Sequence, residues 1–305
     1  MSDQQSDLVI LGGGSGGYAC ALRAAELGLS VTLIEEAELG GTCLHRGCIP
    51  TKALLHSAEV ADTARESETF GVKATLDGID MSAVLAYKDG VVARLYKGLQ
   101  GLVKSRKVNL VSGTGALVSP NAVKVGDTTY RGTNVVLATG SYAKTIPSLE
   151  IGGRIMTSDQ ALRYDEVPAS AIVLGGGVIG VEFASIWRSF GVDVTIVEAL
   201  PRLVAAEDAA SSKVLERTFR KRGIAFHTGT KFASATQDDS AVTVTLEDGK
   251  TLTADVLLVA VGRGPRTEGL GFAEAGVAMD RGFVLTDDRL NTNVAGVRAV
   301  GDIVP

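Results

Sequence analysis

The feature that most constrains this chain occurs twice. Leu8 to Leu11 is a short apolar run that enters Gly12-Gly13-Gly14-Ser15-Gly16-Gly17, a G-x-G-x-x-G turn. An Ala- and Leu-rich helical stretch follows, Tyr18 to Leu27, ended by Gly28; a second apolar run, Ser30 to Ile34, is closed by Glu35. Strand, glycine turn, helix, strand and acid in that order form the fingerprint of a dinucleotide-binding βαβ unit. Gly12 allows the tight turn, Gly14 lets the backbone approach a pyrophosphate, and Gly17 lets helix pack on strand. The amides at the helix start bind phosphates, and Glu35 accepts hydrogen bonds from an adenosine ribose. At a constant offset of 163 residues, Leu174, Gly175, Gly177, Gly180 and Glu198 repeat Leu11, Gly12, Gly14, Gly17 and Glu35. Two such units in register predict an α/β protein with two Rossmann-like dinucleotide-binding domains. Two dinucleotides on one chain point to electron transfer between them.

The length of 305 residues suits two or three domains. The net charge is −5 with both signs interspersed, which leaves no electrostatic footprint for nucleic acid. No apolar run reaches the roughly 18 to 20 residues that span a bilayer. Met1 to Asp7 is polar, without the apolar core of a signal peptide. A cytoplasmic protein is expected. Three cysteines argue against a structural disulfide framework. Cys20, inside the first helical stretch, reads as a small buried hydrophobe.

Between the repeats, Ala53 to Glu68 and Met81 to Lys104 are helical patterns. In the second, Val84, Leu85, Val91, Val92, Leu95, Leu99 and Leu102 are the expected inner positions. Val108 to Val136 reads as short strands, and Val135-Val-Leu-Ala-Thr-Gly140 as a buried strand ending at Thr-Gly. Pro147 and the Gly152-Gly153 pair mark a domain boundary. After the second repeat come a helix over Ser211 to Lys221, strands over Ala225 to Glu247, and a buried strand over Val256 to Gly262.

Gly40 to Lys52 reads Gly-Gly-Thr-Cys-Leu-His-Arg-Gly-Cys-Ile-Pro-Thr-Lys. Cys43 and Cys48 can close a disulfide if their Cα atoms approach within about 7 Å. Pro50 places Cys48 at the start of a helix, where the dipole stabilises a thiolate. Free buried thiols or half a metal site are the other readings; zinc would need two more ligands, and His45, His56 and His227 show no metal-like spacing. His45, between the cysteines, either tunes them or faces solvent; His56 and His227 read as structural or surface residues. Lys52 falls one helical turn after Cys48, on the same face. Glu182, just past the second glycine turn, is its candidate partner; two ordinary surface charges are the alternative.

Gly-Gly-Thr-Cys-x4-Cys-x-Pro-x-Lys, set between two dinucleotide fingerprints, resembles the pyridine nucleotide-disulfide oxidoreductases, and among them most closely the dihydrolipoamide dehydrogenase branch. The resemblance runs from Leu8 to Asp302. It implies FAD on the first repeat, held by Gly12, Gly14, Gly17, Glu35, Gly41 and Thr42, with Lys52 near the flavin and further contacts from Gly115, Thr139, Gly140 and Ser141. Thr292 to Asp302 is similar to the family's second FAD motif, whose aspartate, here Asp302, binds the ribityl chain. It implies NAD on the second repeat, lined by Gly175, Gly177, Gly180, Glu182, Glu198 and Gly262. Glu198 would repel a 2′-phosphate, and no Arg occurs between it and Arg202, which favours NAD over NADP. The implied catalytic group is Cys43, Cys48, Lys52 and Glu182, with Cys48 nearest the flavin and Cys43 exchanging with substrate. No metal is implied.

The same resemblance implies an NAD domain inserted in the FAD domain: residues 1–147 as the first FAD segment, 148–266 as the NAD domain, 267–305 as the return to the FAD domain. It implies oxidation of dihydrolipoamide, free or on a lipoyl domain of a 2-oxoacid dehydrogenase complex, by a homodimeric parent. The family continues into a C-terminal dimerisation domain with a His-x4-Glu pair, and no histidine here has Glu at that spacing. A truncated product with little lipoamide turnover is therefore expected. Mercuric or other disulfide reductases of the family, or a non-catalytic dinucleotide-binding fragment, are the alternatives.

Overall fold

A computed structural model describes residues 2–305, with side chains from Asp3 onward. Its helices among the described residues are α1 (Ser15–Glu26), α2 (Gly41–His45), α3 (Cys48–Arg65), α4 (Met81–Ser105), α5 (Ser158–Ala161), α6 (Val178–Ser189) and α7 (Ala209–Arg222). The fold is α/β and divides into two compact units. One comprises the chain up to Cys48, Val92–Tyr142 and Arg263–Pro305; the other comprises Ile49–Val91 and Ala143–Gly262.

The first unit is built on β1 (Ser2–Leu11), β2 (Val31–Glu35), β3 (Asn109–Ser112), β4 (Gly115–Ser119), β5 (Ala122–Val125) and β6 (Thr128–Leu137). Their order is β3-β2-β1-β6-β5-β4, and Val297–Ala299 adds alongside the end of β6. β1 runs parallel to both neighbours, with Leu8 opposite Val31 on one side and Asn134 on the other. Val9 and Ile10 are fully buried, which is why this strand is continuously apolar. The ladder extends back to Ser2, beyond the expected Leu8, because the first half of β6 pairs with the polar residues Ser2 to Ser6. Backbone hydrogen bonds hold that extension, so side-chain patterning does not announce it. Val9, Leu11, Ile34, Leu137, Phe272 and Val297 share one core.

The second unit repeats the plan. Five parallel strands lie in the order Ala225–His227, Asp193–Val197, Ser170–Leu174, Val256–Val259, Ile155–Thr157. Ser170–Leu174 holds the place that β1 holds in the first sheet. α6 contributes Phe183, Ile186 and Trp187 to the core, and α3 adds Leu54 and Ala58 to the same cluster. Those two anchors carry the segment after the cysteine loop into this unit. A separate antiparallel sheet, Phe232–Gln237, Val242–Leu246 and Thr251–Ala254, buries every second residue of its middle strand, Val242, Val244 and Leu246.

Two expectations need correction. The apolar stripe of α4 is only partly covered: Leu99 is buried, but Leu95 and Leu102 are 42% and 52% exposed. Period 3.6 tells which residues share a face, not whether a neighbour covers it. Lys88, on the same face as that stripe though not apolar, is buried as well, its Nζ donating to the Leu162 carbonyl at 2.7 Å. Cys20 is half-buried rather than buried. No helix among the described residues is long and apolar enough to cross a membrane.

Candidate functional site

The two glycine turns match bond for bond. Gly12 N–H donates to the Ile34 carbonyl and Gly175 N–H to Val197, both at 2.8 Å. Gly13 and Gly176 N–H groups donate to the Glu35 and Glu198 carboxylates, both at 2.6 Å. The second oxygen of each acid accepts from the residue two positions on, Ala37 at 2.9 Å and Leu200 at 2.7 Å. Both carboxylates are thus fixed in orientation, with lone pairs left for a ligand hydroxyl. Gly12 has φ +108°, and a Cβ there would lie 2.2 Å from the Ala138 carbonyl oxygen; Gly175 has φ +110° and the same conflict at 2.3 Å with Ala260. Gly17 and Gly180 do not line the clefts. They press on the turn itself, where a Cβ would meet the Gly12 or Gly175 oxygen below 2 Å.

α1 and α6 both begin at a glycine with no capping side chain, Gly14 and Gly177. α5 and α7 are capped, by a Thr157–Gln160 box and by Asp208. The first amides of α1 and α6 therefore stay available to an anion. In the first unit, Gly14 meets Gly41 backbone to backbone: a Cβ on Gly41 would stand 2.6 Å from the Gly14 Cα. This unit's cleft is a narrow trough of about 70 Å³. Gly12, Gly14, Glu35, Gly41 and Thr42 line it together with Gly115, Thr139, Gly140 and Ser141. Sequence distance separates these groups; the ends of β1, β2 and β6 bring them together. Uncapped amides, glycine backbones in close approach and an oriented acid fit a dinucleotide.

The two thiols stand at the edge of this trough. Gly40 (φ +112°) turns the chain into α2, and Cys43 is its third residue. Cys48 begins α3, with Pro50 in the first turn as expected. Both are free thiols, Cys43 half-buried and Cys48 exposed. Burial, and then the hydrogen bond and charge of Cys48, push the Cys43 thiol up to about 11, against the pull of the Ser15 hydroxyl and the Cys48 N–H. His45 is neither a solvent-facing nor a loop residue. Its imidazole is 10% exposed, Nε2 lies 2.9 Å from the Leu39 carbonyl, and the ring stands edge-on to Tyr96 at 5.0 Å. It pins α2 against the turn that precedes it.

In the second unit, Gly175, Gly177, Glu198 and Gly262 line a cavity of about 590 Å³, together with Leu200 and Lys231. Arg202 is turned away into backbone bonds, donating to the Ala205 and Glu207 carbonyls at 2.8 and 3.0 Å. Lys52 and Glu182 meet at 2.6 Å, the lysine 59% and the glutamate 21% exposed. Glu182 is not part of the cavity wall.

Sequence reasoning missed several residues of the first trough. Arg266 forms an ion pair with Glu36 at 2.5 Å, and both line it, as does Arg46. Arg263 reaches Ser141 and Thr42, and Ser141 donates to Asp302 at 2.5 Å. No local pattern signals Arg263 or Arg266, because their partners lie more than a hundred residues away.

Two tandem βαβ clefts and a thiol pair beside the first define a dinucleotide-binding redox protein. A family model described as pyridine nucleotide-disulphide oxidoreductase matches residues 6–305, and the chain belongs to that family, whose members bind FAD and NAD(P). It is 41% identical over 315 residues to leghemoglobin reductase of Vigna unguiculata, covering 99% of this chain and 60% of that one. It is 39% identical over 317 residues to dihydrolipoyl dehydrogenase of Bacillus subtilis, covering 98% and 67%. Among solved structures, LpdA of Mycobacterium tuberculosis superposes with TM-score 0.90 at 29% identity over 100% of this chain and 68% of that one. A Cu(II) complex of the HOCl-induced flavoprotein disulfide reductase RclA of Escherichia coli gives 0.86 at 29% identity, over 98% and 66%. The chain thus spans about 60 to 67% of the length of the two relatives.

Proposed function

We propose that this chain carries the FAD and NAD sites and the redox thiols of a dihydrolipoyl dehydrogenase. The observation that carries the reading is the Cys43–Cys48 pair, thiol against thiol, with Thr42 and Gly41 of the short helix that bears Cys43 in the wall of the first dinucleotide trough. In this reading FAD lies along that trough. Glu35 holds its ribose, the α1 amides its diphosphate, and Asp302 its ribityl chain. NAD occupies the second cavity, with Glu198 on its ribose. The chemistry the cofactors supply when bound is acceptance of an electron pair from a dithiol and its delivery as hydride to a nicotinamide. The FAD site is assigned to the first compact unit, the chain up to Cys48 with Val92–Tyr142 and Arg263–Pro305, and the NAD site to the second, Ile49–Val91 with Ala143–Gly262.

The chain's own part is thiol exchange. A substrate thiolate attacks Cys43 Sγ of the oxidised pair, the S–S bond breaks, and Cys48 leaves as thiolate. The second substrate thiol then attacks its own sulfur in the mixed disulfide and releases Cys43. The substrate ends as a cyclic disulfide and the two cysteines are reduced. A raised Cys43 pKa means that it leaves this step protonated, while Cys48 is the more exposed thiol. Lys52, paired with Glu182, places a cation one turn from Cys48 on α3. Glu198 and the engaged Arg202 favour NAD, since a 2′-phosphate would meet a carboxylate and find no free guanidinium from Arg202. The proposed substrate is dihydrolipoamide or a lipoyl domain, with a homodimeric parent.

The test is an anaerobic titration of the FAD-loaded protein, wild type and Cys43→Ser, with dihydrolipoamide. Flavin bleaching in wild type alone is expected. A protein that takes up no FAD, or whose bleaching survives Cys43→Ser, overturns the reading. A second reading, reduction of a disulfide or metal ion by NADH, rests on the likeness to RclA, solved with Cu(II). NADH oxidation with Cu(II), but not lipoamide, as acceptor would favour it.

A further inference from the structure

One cation in the first unit belongs to none of the roles above. Arg263 follows Gly262 (φ +111°), where the chain returns to the first unit. Its guanidinium makes two donations to one residue: Nε to the Ser141 hydroxyl at 2.7 Å and Nη2 to the Ser141 carbonyl at 2.8 Å. A third, longer donation from Nη2 reaches the Thr42 hydroxyl at 3.4 Å. Because Arg263 can only donate, the Ser141 oxygen must accept from it, and the hydroxyl proton is left to point elsewhere. It points at Asp302 Oδ2, 2.5 Å away. The bonds run in one direction, from cation through hydroxyl to carboxylate. One oxygen of an exposed Asp302 is thereby occupied, and the other is offered to a hydroxyl donor.

The other arm touches the redox loop. Thr42 immediately precedes Cys43, and Gly41 before it is pressed against Gly14. The same guanidinium therefore bonds to α2 and, through Ser141, fixes the carboxylate at the far end of the chain.

We propose that Arg263 is a positioning residue that fixes Asp302 for a polyhydroxyl chain and tethers the start of the redox helix, so that one side chain couples ribityl binding to the geometry of the thiol pair. The proposal rests on the reading of Asp302 as the ribityl ligand. It separates two parts of FAD: ADP needs the trough of Glu35 and α1, while the ribityl chain needs Asp302 as well.

The experiment measures ADP and FAD binding calorimetrically, and the equilibrium of the thiol pair against dithiothreitol in FAD-free protein. Wild type is compared with Arg263→Met, Arg263→Lys, Thr42→Val and the Arg263→Met/Thr42→Val double variant. Arg263→Met should bind ADP as wild type does and FAD at least tenfold more weakly. Its thiol–disulfide equilibrium constant should shift at least threefold, Thr42→Val should shift it in the same direction, and the double variant should add little. Arg263→Lys keeps the charge but not the fork; it should fall between wild type and Met for FAD, and it serves if the Met variant does not fold. Equal loss of ADP and FAD would make Arg263 a residue of the fold only and overturn the proposal. So would wild-type FAD affinity in the Lys and Met variants, or an unmoved thiol equilibrium. Wild-type protein that takes up neither ADP nor FAD overturns the functional reading itself.

Discussion

Cys43 and Cys48 share one loop but not one environment. Burial and the neighbouring sulfur disfavour the Cys43 thiolate, and Cys48 stands in solvent. A group whose pKa rises from 9 to about 11 on folding stabilises the fold while it stays protonated. That contribution is complete below about pH 9 and is lost as pH climbs through about 11. In reduced, FAD-free protein, iodoacetamide should therefore modify Cys48 first near neutral pH, and Cys43 only as the pH approaches about 11. Peptide mapping by mass spectrometry across that range checks this; equal labelling of both at about pH 7 contradicts it. At the second cleft, Glu198 has both oxygens fixed by backbone amides. Glu198→Arg removes a charged acceptor worth about 1.5–3 kcal/mol in hydrogen bonding. NADH should bind at least about tenfold more weakly, with NADPH gaining, as read by calorimetry; unchanged NADH affinity would show that Glu198 is not on the ribose.

At the scale of elements, helix starts separate stability from function. α6 begins at Gly177, whose φ of −74° suits any residue and whose missing Cβ would meet nothing within 4 Å. Gly177→Asp supplies a cap, a charge favourable to the dipole and a stiffer unfolded chain, together worth up to about 1 kcal/mol. Thermal melting should rise by roughly 2 to 4 °C. The same carboxylate sits where a diphosphate would bind, so NAD binding should be lost. A variant that melts higher and still binds NAD would move the second cofactor away from α6. The helices also show the limit of periodicity. In α4 the pattern grouped Leu95, Leu99 and Leu102 correctly on one side, yet only Leu99 is buried. In α1 and α6 the glycine spacing carried both the turn and the helix start, and the bonds around Glu35 and Glu198 recur at the same offset.

For the whole molecule, each cleft lies inside its own compact unit. Gly12→Ala and Gly175→Ala both force a Cβ into a carbonyl oxygen at a left-handed backbone position. The first should abolish FAD binding and leave NAD binding intact, and the second should do the reverse. Loss of both cofactors from either variant would mean that the units do not bind independently. The division itself was only half legible. The two repeats were readable from the glycine fingerprints, whereas the return segment was an expectation of the family resemblance alone. The membership of Ile49–Val91 in the second unit was not, because Leu54 and Ala58 could pack on any apolar surface and only the fold selects Phe183 and Trp187.

By itself the sequence determined what recurs at fixed spacing: two glycine turns with their acids, the thiol pair with four residues between, and the Pro-led helix after Cys48. These rest on bonds between near neighbours, or on backbone conformations that glycine alone tolerates. Tertiary structure alone decided which distant charges meet. Lys52 reaches Glu182 across 130 positions, Arg263 reaches Thr42 across 221, and Arg266 reaches Glu36 from the opposite end of the chain. It also decided that His45 is clamped by Leu39 and Tyr96. Local periodicity holds no record of such partners; the order of strands in a sheet, fixed by cooperative burial, sets which loop ends come together.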